Sequence, residues 1–245
     1  MISITIASLS FFNPSVRLES GRNVKILGKG PPVVFATGLY GTVPYQFYNT
    51  IINECKKELS MVVFDDVSPI MKKDVEEAAD AIGAQRVGFL SHSSLDIDIL
   101  TSDRIEKAML HDPITLPQLS LIGLETSEVE TQLDVTVVNA ENLLNGKVPL
   151  PAFNIPIIEG NCNYITDMDV GHSDMLDPFW AGTARRFPLW NSDIKKSSFL
   201  DYENWKFKKI SDESLMKDYH KNVSKRIKEL FKEKPKSLKI DVVTN

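Results

Sequence analysis

Ser93, Asp112 and His172 each stand just after a strand-like run. Ser93 lies in the polar corner of Arg86-Val-Gly-Phe-Leu-Ser-His-Ser93-Ser-Leu95, Asp112 in Leu110-His-Asp112-Pro113, and His172 in Gly171-His172-Ser-Asp-Met-Leu. A serine hydroxyl is a poor nucleophile at neutral pH and needs a base within hydrogen-bond reach. A histidine base in turn needs a carboxylate that fixes its tautomer and stabilises the imidazolium. The three residue types at the ends of three strands therefore describe nucleophilic acyl transfer. A second carboxylate competes for the acid's place: Glu141, after the next strand-like segment, in Asn139-Ala-Glu141-Asn. Asp65 and Asp66 come before the serine and read as turn-shaping residues. The remaining histidines are weaker candidates: His111 inside or at the end of its strand, His92 as the variable residue of the corner, and His220 on a polar tail helix.

Acyl transfer also needs donors for the developing oxyanion, usually two backbone N–H groups. Ser94, the residue after the nucleophile, supplies one candidate. Leu39 supplies the other, in the loop Gly38-Leu-Tyr-Gly41 that comes after the apolar run Pro32–Thr37.

The elements that must position these residues alternate. Pro32–Thr37, Met61–Phe64, Arg86–Leu90, Ile105–His111, Val135–Asn139 and Asn163–Met168 read as strands. Short continuous apolar runs are what a sheet covered on both faces requires. Between them, Tyr48, Ile51, Ile52, Cys55 and Leu59 fall on one face of a helix, and so do Val75, Ala78, Ala79 and Ile82 in a helix over Lys72–Ile82. Alternating strand and helix predict an α/β protein with a mostly parallel central sheet and helices on both faces. Ser3–Phe12 and Asn23–Leu27 read as an antiparallel hairpin or edge strands. An amphipathic basic helix is expected at about 213–234. Its stripe of Leu215, Tyr219, Val223, Ile227, Leu230 and Phe231 packs on the domain, with peripheral membrane contact as the alternative.

Composition narrows the classes. With 245 residues, 42% of them apolar, the chain is long enough to bury one core, and no linker divides it, so one domain over 1–245 is expected. A net charge of −5 gives no footing for nucleic-acid binding. Cys55 and Cys162 cannot form a disulfide framework and read as buried free thiols, in keeping with a reducing, cytoplasmic or other intracellular compartment. No run reaches the roughly 18–20 apolar residues of a membrane span, and the period-two opening Met1–Leu9 reads as a strand rather than a signal peptide. Nothing in the residues calls for a metal or cofactor.

The order serine, acid, histidine is that of α/β-hydrolases. Pro31-Pro-Val-Val-Phe-Ala-Thr-Gly-Leu-Tyr, Tyr45-Gln-Phe-Tyr48-Asn-Thr-Ile-Ile, His111-Asp112-Pro113 and Gly171-His172-Ser-Asp174-Met-Leu-Asp177 resemble the chlorophyllase-like and lipase-like serine esterases of that superfamily over roughly residues 30–180. The resemblance implies the α/β-hydrolase fold and a Ser93-Asp112-His172 triad. It also implies carboxylic-ester hydrolysis through an acyl-enzyme, with a small hydrophobic ester as substrate. The apolar loop segments Pro113–Leu121, Val148–Phe153 and Phe179-Trp180 are candidates to line its pocket. The chain departs from the family at the corner, where Ser91 and Leu95 stand in place of glycines, and Thr37 replaces the histidine before the oxyanion glycine. Leu95 is expected to crowd the corner unless the next helix, which is short, moves outward. Two further readings stand beside the esterase: a catalytically inactive α/β-hydrolase-fold protein that binds a small molecule or protein, and an acyltransferase or thioesterase using the same triad.

Overall fold

The computed structural model describes residues 15–114, 128–140, 156–167, 170–181 and 213–232. Among them eight strands form one sheet: β1 (Ser15–Arg17), β2 (Asn23–Leu27), β3 (Pro32–Ala36), β4 (Ser60–Phe64), β5 (Val87–Ser94), β6 (Ile105–Ile114), β7 (Glu128–Ala140) and β8 (Ile157–Asp167). Their order is β1-β2-β4-β3-β5-β6-β7-β8. β2 pairs antiparallel with both β1 and β4, and every other pairing is parallel. This is the topology of the α/β-hydrolase fold, with its single antiparallel strand in second place.

The central strands are apolar on both faces because both faces are covered. Val34, Ala36, Val62, Phe64 and Phe89 point to one side, where α2 (Lys72–Ala81) packs Val75, Ala78 and Ala79. Val33, Phe35, Met61, Val63 and Leu90 point to the other. There α1 (Asn49–Cys55) contributes Ile51, Ile52 and Cys55, and α3 (Glu213–Lys232) contributes Val223, Ile227 and Phe231. The apolar stripe of α3 is therefore spent on the sheet; Leu215 lies outside the described side chains. Enclosure also raises the Cys55 thiol to about 12, leaving it inert, whereas Cys162 on the edge strand is only half-buried. Among the described residues no helix is long and apolar enough to cross a membrane.

Three elements differ from the expectation. β1, a strand that the sequence reading does not single out, pairs antiparallel with β2; Ser3–Phe12 lies outside the described residues. β7 begins at Glu128 rather than Val135, because its first half is one-sided: Val129 and Thr131 are buried while Glu128 and Glu130 face solvent. A strand half-covered in this way alternates in polarity and lacks the continuous apolar run that flags its second half. β8 likewise starts at Ile157, not Asn163. It is the last strand in the sheet order, and most of its residues are exposed.

Ile227 is fully buried between α3 and the sheet. Ile227→Ala is expected to lower unfolding free energy by about 2–4 kcal/mol, read by urea denaturation. A change under about 0.5 kcal/mol, the scale of a surface substitution, would show that α3 is not docked there.

Candidate active site

Three strands deliver their carboxyl ends to one place, as parallel sheets do at the crevice where their functional groups gather. The backbone there is unusual. Among the described residues, the non-glycine residues at positive φ are Leu39 (52°), Tyr40 (61°), Ser93 (67°) and Asp112 (53°). All four sit at or just beyond the ends of β3, β5 and β6. Each such residue costs about 1–3 kcal/mol and persists only where its surroundings over-determine it.

At the end of β5 the left-handed turn at Ser93 brings its Oγ to 2.9 Å from His172 Nε2. His172 Nδ1 lies 2.7 Å from Asp112 Oδ2. The other carboxylate oxygen of Asp112 accepts the backbone N–H of Ala140, at the end of β7, at 2.8 Å. An ionised carboxylate can only accept, so Nδ1 of His172 carries the proton and Nε2 is left to accept from the serine hydroxyl. Asp112 is fully buried, while His172 keeps part of its ring exposed. The structure thus joins Ser93, Asp112 and His172 in one hydrogen-bonded chain. Glu141, the competing acid, lies outside the described residues.

Ser91 and Leu95 flank the corner in different surroundings. Ser91 pairs with Ala36 of β3 on one side and Leu110 of β6 on the other, so a small residue faces it across one ladder. Leu95 is buried, in the same core cluster as Val34, Phe89, Ile97, Ile99 and Leu100. The next element is a five-residue 3₁₀ helix, Ile97–Thr101. Asp96 anchors this departure by accepting the N–H groups of Lys72 and Asp98, which joins the corner to the start of α2.

The loop after β3 is closed by its own hydrogen bonds. Thr37 Oγ1 donates to Val43 O, Gly41 N–H to Thr37 O and Val43 N–H to Gly38 O. Tyr40 N–H donates to Ser94 O at 2.8 Å, which fastens this loop to the corner. Leu39, one residue earlier, has an amide with no partner among the described residues and a half-exposed side chain. Ser94 occupies the last position of β5, next to the nucleophile position.

The histidine loop is held by the two acids of its motif. Asp174 Oδ2 accepts Gly171 N–H at 2.8 Å, closing the 3₁₀ turn His172–Met175. Asp177 Oδ1 accepts Thr50 N–H at 2.9 Å in the first turn of α1, and its own N–H donates to Phe47 O. A carboxylate at a helix N-terminus satisfies an orphan donor and complements the helix dipole. Phe47 and Trp180 stack at 3.6 Å between ring centroids, with Phe179 at the Trp180 edge and largely exposed.

The other histidines are not the bystanders that their positions in sequence suggest. His92 is enclosed rather than a free corner residue: Nδ1 lies 2.8 Å from Tyr48 Oη, and Nε2 lies 2.8 Å from His172 O. His220 lies on the buried face of α3, with Nε2 donating to Asp174 O at 2.7 Å. His111 sits inside β6 with Nε2 3.1 Å from Tyr219 Oη. Beside it Arg226 makes a two-pronged contact with Asp167 at 2.9 and 2.8 Å. In the sequence Tyr48 and Tyr219 show only as members of apolar helix stripes. Their partners are 44 and 108 residues away, so no local spacing could expose their polar roles.

Burial lowers His111 to about 4, from an ordinary value of 6.5. Between those values the unfolded chain binds a proton that the folded chain refuses, so stability falls as pH drops from 6.5 towards 4. The loss in unfolding free energy from pH 7 to pH 5 is expected to be smaller in His111→Gln than in the wild type, by urea denaturation. Equal losses in the two proteins would mean that His111 titrates normally in the fold.

No protein-family model matches this sequence, and no curated protein matches it. Several solved structures are similar. Naproxen esterase (carboxylesterase NP) from Bacillus subtilis is 12% identical over 72% of this chain and 90% of that one, with a TM-score of 0.46. A marine microorganism esterase is 14% identical over 63% of this chain and 93% of that one, at 0.43. An alpha/beta fold family hydrolase from Bacillus anthracis str. Sterne is 18% identical, at 0.31. That match takes in 41% of this chain and spans less than half, 43%, of the other's length. The fold assignment rests on the strand order and not on these likenesses.

Proposed function

We propose that this chain is a serine hydrolase that cleaves carboxylic esters bearing a hydrophobic group through an acyl-enzyme. The observation that carries this reading is the chain Ser93 Oγ, His172 Nε2, His172 Nδ1, Asp112 Oδ2, with links of 2.9 and 2.7 Å and Ser93 held at a left-handed φ. In the proposed reaction Ser93 Oγ attacks the ester carbonyl while His172 Nε2 takes its proton. Asp112 stabilises the imidazolium without itself taking the proton. The N–H groups of Leu39 and Ser94 hold the oxyanion. His172 then protonates the leaving alcohol, and the same base activates the water that releases the acid from Ser93.

Support for a hydrophobic group comes from the exposed apolar side chains near the site, Leu39 on the β3 loop and Phe179 after the histidine loop, which are 51% and 72% accessible. An isolated exposed apolar residue means little, but one on the loop of the proposed oxyanion donor and one just after the loop of the base suit an acyl or alcohol group. Of the segments that resemble chlorophyllase-like esterases, Gly171–Asp177 is the most specific, and its acids hold the loop through Gly171 and Thr50. The alternative of a silent binding module draws on Ser91 and Leu95 in place of glycines, the short helix after the corner and Thr37 in place of a histidine; the burial of Leu95 in the core favours the hydrolase.

Labelling with a fluorophosphonate probe tests the reading: wild-type protein should label and Ser93→Ala should not. Asp112→Asn should reduce kcat by about 10⁴-fold, as loss of the correct histidine tautomer does in triad hydrolases, whereas Glu141→Gln should leave it within about twofold. Folded wild-type protein that neither labels nor hydrolyses p-nitrophenyl esters would overturn the proposal.

A further inference from the structure

A buried chain of hydrogen bonds runs behind the reacting groups and joins segments far apart in sequence. Gly38 N–H donates to Tyr48 Oη at 3.0 Å. Tyr48 Oη lies 2.8 Å from His92 Nδ1, and His92 Nε2 lies 2.8 Å from the carbonyl oxygen of His172. The two ends settle the direction of every proton. An amide N–H can only donate and a carbonyl can only accept, so Tyr48 gives its proton to Nδ1 and His92 carries its own proton on Nε2.

Packing allows no slack in this chain. Tyr48 is fully buried, with Phe35 edge-on to its ring at 5.1 Å between centroids. His92 lies against the imidazole of His172, 5.0 Å between centroids at 28°, with the ring of His111 at 6.2 Å. A Cβ on Gly38 would meet Tyr48 Oη at 3.0 Å and His92 Nδ1 at 3.5 Å, so the glycine permits the close approach. Burial, and then the neighbouring His172 and His111, hold His92 well below its ordinary value. It therefore stays neutral, opposing no charge that forms on His172. In its neutral tautomer each of its nitrogens has one partner, and nothing is left over for substrate.

We propose that Tyr48 and His92 are positioning residues that couple the β3 loop, which carries the Leu39 amide, to the backbone of His172. The two sides of the reacting geometry are then set as one unit. This inference rests on the serine-hydrolase reading. The logic is that of a supporting layer: donors and base must be held within a fraction of an ångström, and groups that never touch substrate do the holding. Tyr40 N–H bonded to Ser94 O fixes the same loop to the nucleophile corner. The Tyr48–His92 path supplies the connection to the base.

The test is steady-state hydrolysis of p-nitrophenyl butyrate by Tyr48→Phe, His92→Phe, His92→Gln and the Tyr48→Phe/His92→Phe double variant, with thermal melts to establish folding. Tyr48→Phe and His92→Phe should each lower kcat about 10- to 100-fold with KM within about threefold, the pattern of an interaction expressed in the transition state. The double variant should lose no more than about threefold beyond the worse single one, because members of one unit are not additive. His92→Gln keeps a donor for the His172 carbonyl and should recover at least about half of the logarithmic loss seen in His92→Phe. If His92→Phe does not fold, Tyr48→Phe and His92→Gln with their double variant carry the same comparison. Unchanged kcat in folded variants, multiplying losses, or glutamine no better than phenylalanine would each overturn the coupling. An active wild type with indifferent variants sinks this inference alone, whereas a wild type with no turnover and no fluorophosphonate labelling sinks the hydrolase reading with it.

Discussion

A left-handed backbone at the end of a buried central strand is the constraint on which the rest of this site depends. Ser93 and Asp112 leave adjacent strands with φ of 67° and 53°, conformations that an L-residue adopts only under compulsion. The compulsion is distributed. The ladders of β3 and β6 hold β5 on both sides, the Leu95 side chain is sunk in the core below the turn, and Asp96 is tied to α2. Across the ladder, Asp112 is pinned by Ala140 at the end of β7. Neither residue is placed by its own neighbours in sequence alone. The sheet bends each strand end to where the hydrogen bonds to His172 can form.

Ser91 and Leu95 flank the nucleophile position and are both buried. Leu95 is buried in the core just ahead of a short 3₁₀ helix, and Ser91 stands beside Ala36 across the β3 ladder. Thr37, through its hydroxyl, closes the β3 loop onto Val43.

Much of this is legible in the residues. The buried strands announce themselves because coverage on both faces leaves an uninterrupted apolar run, as in Pro32–Ala36 and Ser60–Phe64. The faces of α1 and α2 emerge from their period. Ser93 and Asp112 can be named because each follows such a run, and His172 because of the Gly171–Asp177 motif around it. The first halves of β7 and β8 stay hidden, since one strand is covered on one face there and the other forms the edge. The polar roles of Tyr48, His92, Tyr219 and His220 stay hidden for a different reason. Their partners come from elements brought together only by the sheet, and a tyrosine in an apolar stripe looks the same whether or not its hydroxyl has work to do. Glu141 stands as a rival acid because sequence order alone allows either carboxylate; it is geometry that brings Asp112 to His172.

The tail helix α3 holds both partners of the serine from behind: Tyr219 reaches His111, the neighbour of Asp112; Arg226 grips Asp167 at the end of β8; and His220 holds the carbonyl of Asp174 in the histidine loop. It is also the last described element along the chain. On the ribosome, then, the serine, acid and histidine are all made before the helix that braces two of them. A nascent chain arrested ahead of residue 213 contains every group proposed to react and lacks the brace that holds their supports in register. The element made last among those described is thus the one that contacts the supports of both the acid and the histidine.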